Sequence, residues 1–390
     1  MLDDIPFLDN NDVAYLDNAA TTQKPRDVIE AMTSFQENDN ANPHRSMYDA
    51  ANRATAAVEN ARATYAEILG ADTTEVFFTR NATESLNHLA FGFKDQVTDD
   101  HNIVLTEMEH HSNLLPFQRL ADETGAEVRI IPHDAIDDYK DYIDDQTAIV
   151  SITHMSNVTG RVLPVSDMAE YAERVSDAKV IADGCQAFPH QDIDTDDLGV
   201  DAYTFSAHKH YGPAGVGITY LDKDSHDDYT VEMRGGGMVD SVNHTDYSES
   251  QAPHRFEAGT LNAAGIHAAG KAAQKLDSER EGIEEHEQQL KEYALRQLQD
   301  NDFHVYGHGS EDYGPVLSLK TENDAFDVAH VLNQHGVCVR AGNHCADPLM
   351  SALATTNTAR ISIGAYNTED DIDRAIQALE DAKTVLGGTL

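Results

Sequence analysis

From Val76 to Tyr220, short apolar, β-branched runs alternate with longer segments whose apolar residues recur at helical spacing. The runs are Val76-Phe77-Phe78, Ile103-Val104-Leu105, Val128 to Ile131, Ala148 to Ile152, Val180-Ile181-Ala182, Ala202 to Phe205 and Val216 to Tyr220. Helical spacing marks Arg53 to Leu69, Thr83 to Phe93, Asn113 to Thr124 and Val165 to Val175, the last entered through Pro164. This alternation predicts an α/β protein with a large, mainly parallel sheet. After Gly259 the pattern changes. An Ala-rich segment and the charged, helix-patterned stretch Lys271 to Leu298 lead to a second, α+β unit, with strands at Val316 to Leu319, Val337 to Val339 and Arg360 to Ile363. We divide the chain into a large unit, 15–260, and a smaller one made of 1–14 and 261–390.

The 390 residues suffice for a substantial core, and no apolar run approaches the roughly 20 residues of a membrane helix. The stretch Met1 to Val13 carries four Asp and neither Lys nor Arg, opposite to a basic leader, so a cytoplasmic location is expected. The three cysteines, Cys185, Cys338 and Cys345, show no paired spacing and are expected to be free thiols.

Charge changes the picture further. Against 27 Lys and Arg stand 69 Asp and Glu, a net charge of −42 that repels nucleic acid and anionic membranes. The acidity recurs at Asp134 to Asp145, Asp192 to Asp201, Asp222 to Asp228 and Glu369 to Asp373, which reads as a solvated surface. Such a surface repels itself in dilute buffer and is screened by salt. We therefore expect a host with molar intracellular salt, and a melting temperature that rises from low to multimolar KCl. Equal melting temperatures at the two extremes would remove the basis for that expectation.

In open α/β sheets ligands collect beyond the carboxyl ends of the strands. Asp183 and Gln186 follow one run, and Ser206, His208 and Lys209 follow the next. A lone Lys there is ordinarily a solvated charge and a lone Asp a cap. Together, a Lys for imine chemistry and an Asp for a pyridinium nitrogen are what a pyridoxal 5'-phosphate site requires.

The segments YLDNAATTQKP from Tyr15, HRSMYDAANRAT from His44, TRNATE from Thr79, MEHHSNLLPFQ from Met108, THMSNVTG from Thr153, ADGCQAFPH from Ala182, FSAHKHYGPAG from Phe205, RFEAGTLN from Arg255 and VRAGNHCADPLM from Val339 carry a resemblance. Nearly end to end, the chain resembles the fold-type I, class V aminotransferase family, most closely the cysteine desulfurases of the SufS type. The resemblance implies a cofactor domain with a seven-stranded sheet, a small domain from both chain ends, and a homodimer with active sites near the interface. It implies that Lys209 forms the imine with pyridoxal 5'-phosphate and later moves the Cα proton, that Asp183 bonds the pyridine nitrogen, and that Gln186 contacts the phenolic oxygen. His110 would stack on the ring. Thr83, Ser206 and His208 would bind the phosphate with Thr260 of the partner subunit, and Asn157 would lie beside the cofactor. One departure is Arg80-Asn81-Ala82-Thr83-Glu84, where the family commonly has Gly and Thr before Thr-Glu. Asn tolerates left-handed geometry, so the turn survives with one hydroxyl fewer.

Arg340-Ala341-Gly342-Asn343-His344-Cys345-Ala346 separates a desulfurase from an ordinary transaminase. Cys345 matches the nucleophile; Gly342 is expected to let the loop bend, and His344 and Arg340 to favour the thiolate. An isolated Cys is more often a small buried hydrophobe, the reading kept for Cys338, while Cys185 reads as a spacer. Asn343 stands where the family usually has another His, which removes a titrating group. No metal is expected, since adjacent His344 and Cys345 cannot supply a tetrahedral site alone and no other ligand cluster is evident. Arg360 matches the anchor of the substrate carboxylate, with Arg340 and His44 as lesser contacts.

The implied reaction turns L-cysteine into L-alanine and leaves the sulfur on Cys345 as a persulfide. Passed to a sulfur-acceptor protein, it would supply iron–sulfur cluster assembly. A selenocysteine lyase shares every one of these residues. A non-catalytic sulfur-carrier protein is a third alternative, against which the intact Lys209 and Asp183 argue.

Overall fold

The computed structural model describes residues 4–44, 47–309 and 312–387. Met1 to Asp3 of the acidic start, and Arg45 and Ser46 of the HRSMYDAANRAT segment, lie outside the described residues.

Every apolar run of the large unit becomes a strand of one seven-stranded sheet. Across it the order is Val76–Thr79, Gly217–Leu221, Ala202–Ser206, Lys179–Asp183, Thr147–Thr153, Asn102–Thr106 and Glu127–Ile131. Only Gly217–Leu221 runs against its neighbours, so the sheet is mainly parallel, as the pattern predicts. The strands Asn102–Thr106, Thr147–Thr153 and Ala202–Ser206 are buried at every position, which explains why their sequences are mostly apolar rather than alternating. One face packs a core around Val104, Val150, Val180 and Tyr203; the other packs Phe77, Ile103, Ile149 and Ile181 against Leu86 and Phe117 of the helices Ala82–Gly92 and His111–Thr124.

The stretch expected to be one long helix is two, Ala263–Ser278 and Arg280–Asp300, broken at Glu279. Beside the break, the Arg280 guanidinium turns inward to the carbonyls of Phe188, at 3.2 Å, and Gln191. The first of these helices lays Ala264, Ala268 and Ala272 in the large core. Gly270 allows that close approach: a Cβ there would sit 2.6 Å from the Ala61 Cβ of helix Asp49–Ile68. The sequence pattern predicts a change of unit at residue 261. In the structure the small-sided Ala helix stays with the large sheet, and the second core draws residues from Leu290 onward.

That second core sits on a four-stranded antiparallel sheet, in the order His304–Val305, Val316–Lys320, Thr358–Ser362 and Arg340–Gly342. The chain start joins it. Ala14–Tyr15 pairs in parallel with Val337–Cys338, and Ala14 and Leu16 are buried in the second core. Among the described residues, no helix is long and apolar enough to cross a membrane.

Candidate active site

Thr106, Thr153, Asp183 and Ser206 are the last residues of parallel strands, and a cavity of about 720 Å³ opens beyond them. All the site residues named from the sequence line it except His44 and Thr260. The arrangement follows from the topology: parallel strands end on one edge, so loops far apart in sequence share one crevice.

Lys209 follows Ser206 in a single 3₁₀ turn, Ala207–Lys209, and its ammonium has neither a hydrogen bond nor an ion pair among the described residues. Asp183 is buried, with Oδ1 accepting the Cys185 N–H at 3.0 Å. Gln186 is held by donating to Ala19 O at 2.9 Å. His110 caps the helix His111–Thr124, its Nδ1 accepting the Ser112 N–H at 3.1 Å. Burial, reinforced by the Lys209 charge, pushes its pKa down to about 4, so the ring is neutral and its proton resides on Nε2. His208 is pushed to about 4 by the same two causes.

The turn with the departure in sequence does form a helix start. Asn81 caps Ala82–Gly92 through the Glu84 N–H, with an extended backbone and not the left-handed one allowed for. The Ala82 N–H donates to Ser206 Oγ at 2.9 Å, and the Thr83 and Ser112 hydroxyls are 2.7 Å apart. First-turn N–H groups have no intrahelical acceptor; those of Ala82 and Glu84 are taken by Ser206 Oγ and Asn81 Oδ1, and the Thr83 N–H with the hydroxyls forms a corner of the cavity whose chemistry suits an anion.

The second unit contributes Arg360 and the Cys345 loop. Arg360 is fully buried. It donates to Asn157 O at 2.8 Å and to Asp17 Oδ1 at 3.3 Å, while its Nε has no acceptor. Burial lowers its pKa to about 10. Asp17 also lies 3.9 Å from Arg340, and burial raises its carboxyl against the pull of both guanidinium groups. Cys345 is exposed, whereas burial pushes the thiols of Cys185 and Cys338 up and keeps them protonated. Gly342 has φ 136°, the bend expected of it, but His344 and Cys345 follow with φ 54° and 55°. Each non-glycine residue there costs roughly 1–2 kcal/mol.

One expectation is corrected. His344 brings no positive charge to the thiolate: it is buried, its Nε2 lies 2.9 Å from Thr358 Oγ1, and burial lowers its pKa to about 3, leaving a neutral ring. His44 and Thr260 line a different cavity, of about 410 Å³. There His44, Glu59 and His254 bring donor atoms within 4.8 Å of one another, a cluster the sequence reading missed because the residues are so far apart along the chain. Glu59 is already bonded to Arg62 Nε at 3.0 Å. Also missed were Asp17, Ser112 and Glu109. Glu109 is buried, accepts from Thr106, Asn113 and the Thr153 N–H, and is pushed by burial to about 7. All three lie inside quoted motifs, but nothing in their spacing points to the cavity.

Fold and site together define a member of the class-V aminotransferase family: residues 14–375 match its model, described as aminotransferase class-V, and the chain belongs to that family of pyridoxal phosphate enzymes. Similar proteins are cysteine desulfurases. The chain is 36% identical to one from Haloferax volcanii, covering 96% of this chain and 90% of that one, and 36% identical to a probable one from Halobacterium salinarum, covering 98% and 95%. The apo structure of a cysteine desulfurase from Thermococcus onnurineus matches with a TM-score of 0.94 at 31% identity, covering 98% of this chain and 97% of that one. One from Escherichia coli matches with 0.89, at the same identity and coverage.

Proposed function

We propose that the chain is a pyridoxal phosphate-dependent cysteine desulfurase. The observation that carries this is the convergence of Lys209, Asp183 and Cys345 on one cavity, two from strand ends of the large sheet and the third from the second unit. The residues fit the cofactor. An unpartnered amine, a buried carboxylate, a neutral imidazole and a corner of hydroxyls and helix N–H groups match an aldehyde, a ring nitrogen, a ring face and a phosphate in turn. When bound, the cofactor supplies an aldehyde that condenses with amines and a ring that takes up electron density from the substrate Cα.

The chain supplies the rest. Lys209 holds the cofactor and then moves the Cα proton of the amino acid. Arg360, with its unpartnered Nε and its two existing bonds, holds the substrate carboxylate and so orients the molecule. The Cys345 thiolate attacks the substrate sulfur. The S–S bond forms as the C–S bond breaks, its electron pair passes to Cβ, a proton follows, and alanine leaves behind a persulfide.

The compact turn between Arg340–Gly342 and Asp347–Ala352, and the hairpin Val239–Val242 with Tyr247–Glu249, support a SufS-type assignment and a role in iron–sulfur assembly through an acceptor protein. That His44 and Thr260 open into a separate cavity supports a homodimer in which they serve the partner's site. The two hydrophobic cores support a large and a small domain, and the charge supports a salt-rich cytoplasm.

Incubation with L-cysteine should add one sulfur atom to the peptide bearing Cys345 and release alanine, as read by mass spectrometry. Cys345→Ser should abolish both. Full alanine release by that variant, or sulfur on Cys185 or Cys338, would refute the assignment.

A further inference from the structure

Two consecutive left-handed residues, His344 and Cys345, carry the chain from strand Arg340–Gly342 into helix Asp347–Ala352. Such a backbone persists only where its surroundings over-determine it. Here they do so through a closed circuit of contacts. Asn343 Oδ1 accepts the Cys345 N–H at 3.1 Å, while Asn343 Nδ2 donates to both carboxylate oxygens of Asp347 at 3.0 and 2.9 Å. Asp347 Oδ2 lies 2.8 Å from His111 Nε2. The His111 N–H closes the circuit on Cys345 O at 2.7 Å. The nucleophile's peptide groups are thus gripped on both sides of its Cα, one by its own loop and the other by the helix whose cap, His110, lines the cavity.

We propose that Asn343, Asp347 and His111 are positioning residues that hold Cys345 where its sulfur reaches that of the substrate. The proposal rests on Cys345 being the nucleophile. Asparagine suits position 343 because one planar group offers an acceptor to Cys345 and a donor to Asp347. Aspartate there offers acceptors only and faces a second carboxylate; alanine offers nothing. The three side chains act through Cys345 and not on the reacting atoms, so their loss should slow the chemistry without weakening substrate binding.

The test uses the cofactor-loaded protein and four variants: Asn343→Ala, Asn343→Asp, the exchange Asn343→Asp with Asp347→Asn, and Cys345→Ser. Asn343→Ala and Asn343→Asp should lower kcat about 10- to 100-fold, since small misplacements of a reacting group cost that much. KM for L-cysteine should stay within about twofold, because the carboxylate anchor is untouched. Alkylation of Cys345 by iodoacetamide, followed by intact mass, should stay within about threefold of the parent, showing a thiol still reactive but misplaced. The exchange restores an acceptor at 343 and a donor at 347, and should recover most of kcat. Parental kcat in Asn343→Ala, or an exchange no better than Asn343→Asp, overturns the brace. Full turnover in Cys345→Ser overturns instead the reading of the nucleophile, so the two failures are distinguishable.

Discussion

Lys209→Ala should lower turnover of L-cysteine by about 10³-fold or more, a loss of both the covalent hold on the cofactor and a general base. The side chain is without a hydrogen bond or ion pair among the described residues, so its removal breaks no structural contact and the fold should be unchanged by circular dichroism. His110 and His208 both feel its charge in the cavity, which places the amine among the groups that would surround the ring. Absorbance of the purified variant should lack the visible band of a lysine-linked cofactor, and an external small amine should restore part of the activity. Parental turnover, or an unchanged visible band, would show that another amine does this work. The same measurement separates the enzyme from a sulfur carrier, in which Lys209 would have no role.

The largest effect on stability is expected at the buried pair Arg62 and Glu257. Their side chains are 0% and 2% exposed and meet through two bonds, Nη1 to Oε1 at 2.8 Å and Nη2 to Oε2 at 2.9 Å. Arg62 also donates to Val76 O, and Glu257 accepts the Phe78 N–H, so the pair ties helix Asp49–Ile68 and the segment before Thr260 to the edge strand of the large sheet. Glu257→Ala leaves the guanidinium buried with Glu59 as its remaining counter-charge, at a cost of about 3–5 kcal/mol, to be read from chemical unfolding in high salt. A loss below about 1 kcal/mol would contradict that assignment. Despite burial, the Arg62 charge holds the Glu257 carboxyl below its ordinary value. The pair's contribution is therefore complete above the unfolded carboxyl pKa of about 4.5 and is lost as pH falls through the lower folded value. Replacing both residues by apolar ones should cost less than the single change, because no charge is then stranded.

Much of the fold was legible because the information is local. A run such as Val180 to Ala182, apolar at every position, suits a strand covered on both faces, and Asp183 and Lys209 stand just beyond two such β-rich runs, where topology places ligands. Features decided by side-chain direction were not legible. His344 sits one residue from Cys345 and reads as its helper, yet its ring turns into the protein and bonds Thr358. Asn343 reads as the loss of a titrating group, yet it carries one arm of the loop's support. The break at Glu279 escaped a helical pattern because the partners of the adjacent Arg280, Phe188 and Gln191, come from a distant segment.

Periodicity and local motifs settled the strands, the chemical kinds of group and the family, since each depends on residues a few positions apart. Folding settled what those groups meet: Asp17 between two arginines, His111 against Cys345, and His44 beside His254 and not in the cavity. Contacts of that kind join residues hundreds of positions apart, and only the packing of two cores around one crevice brings them within bonding distance.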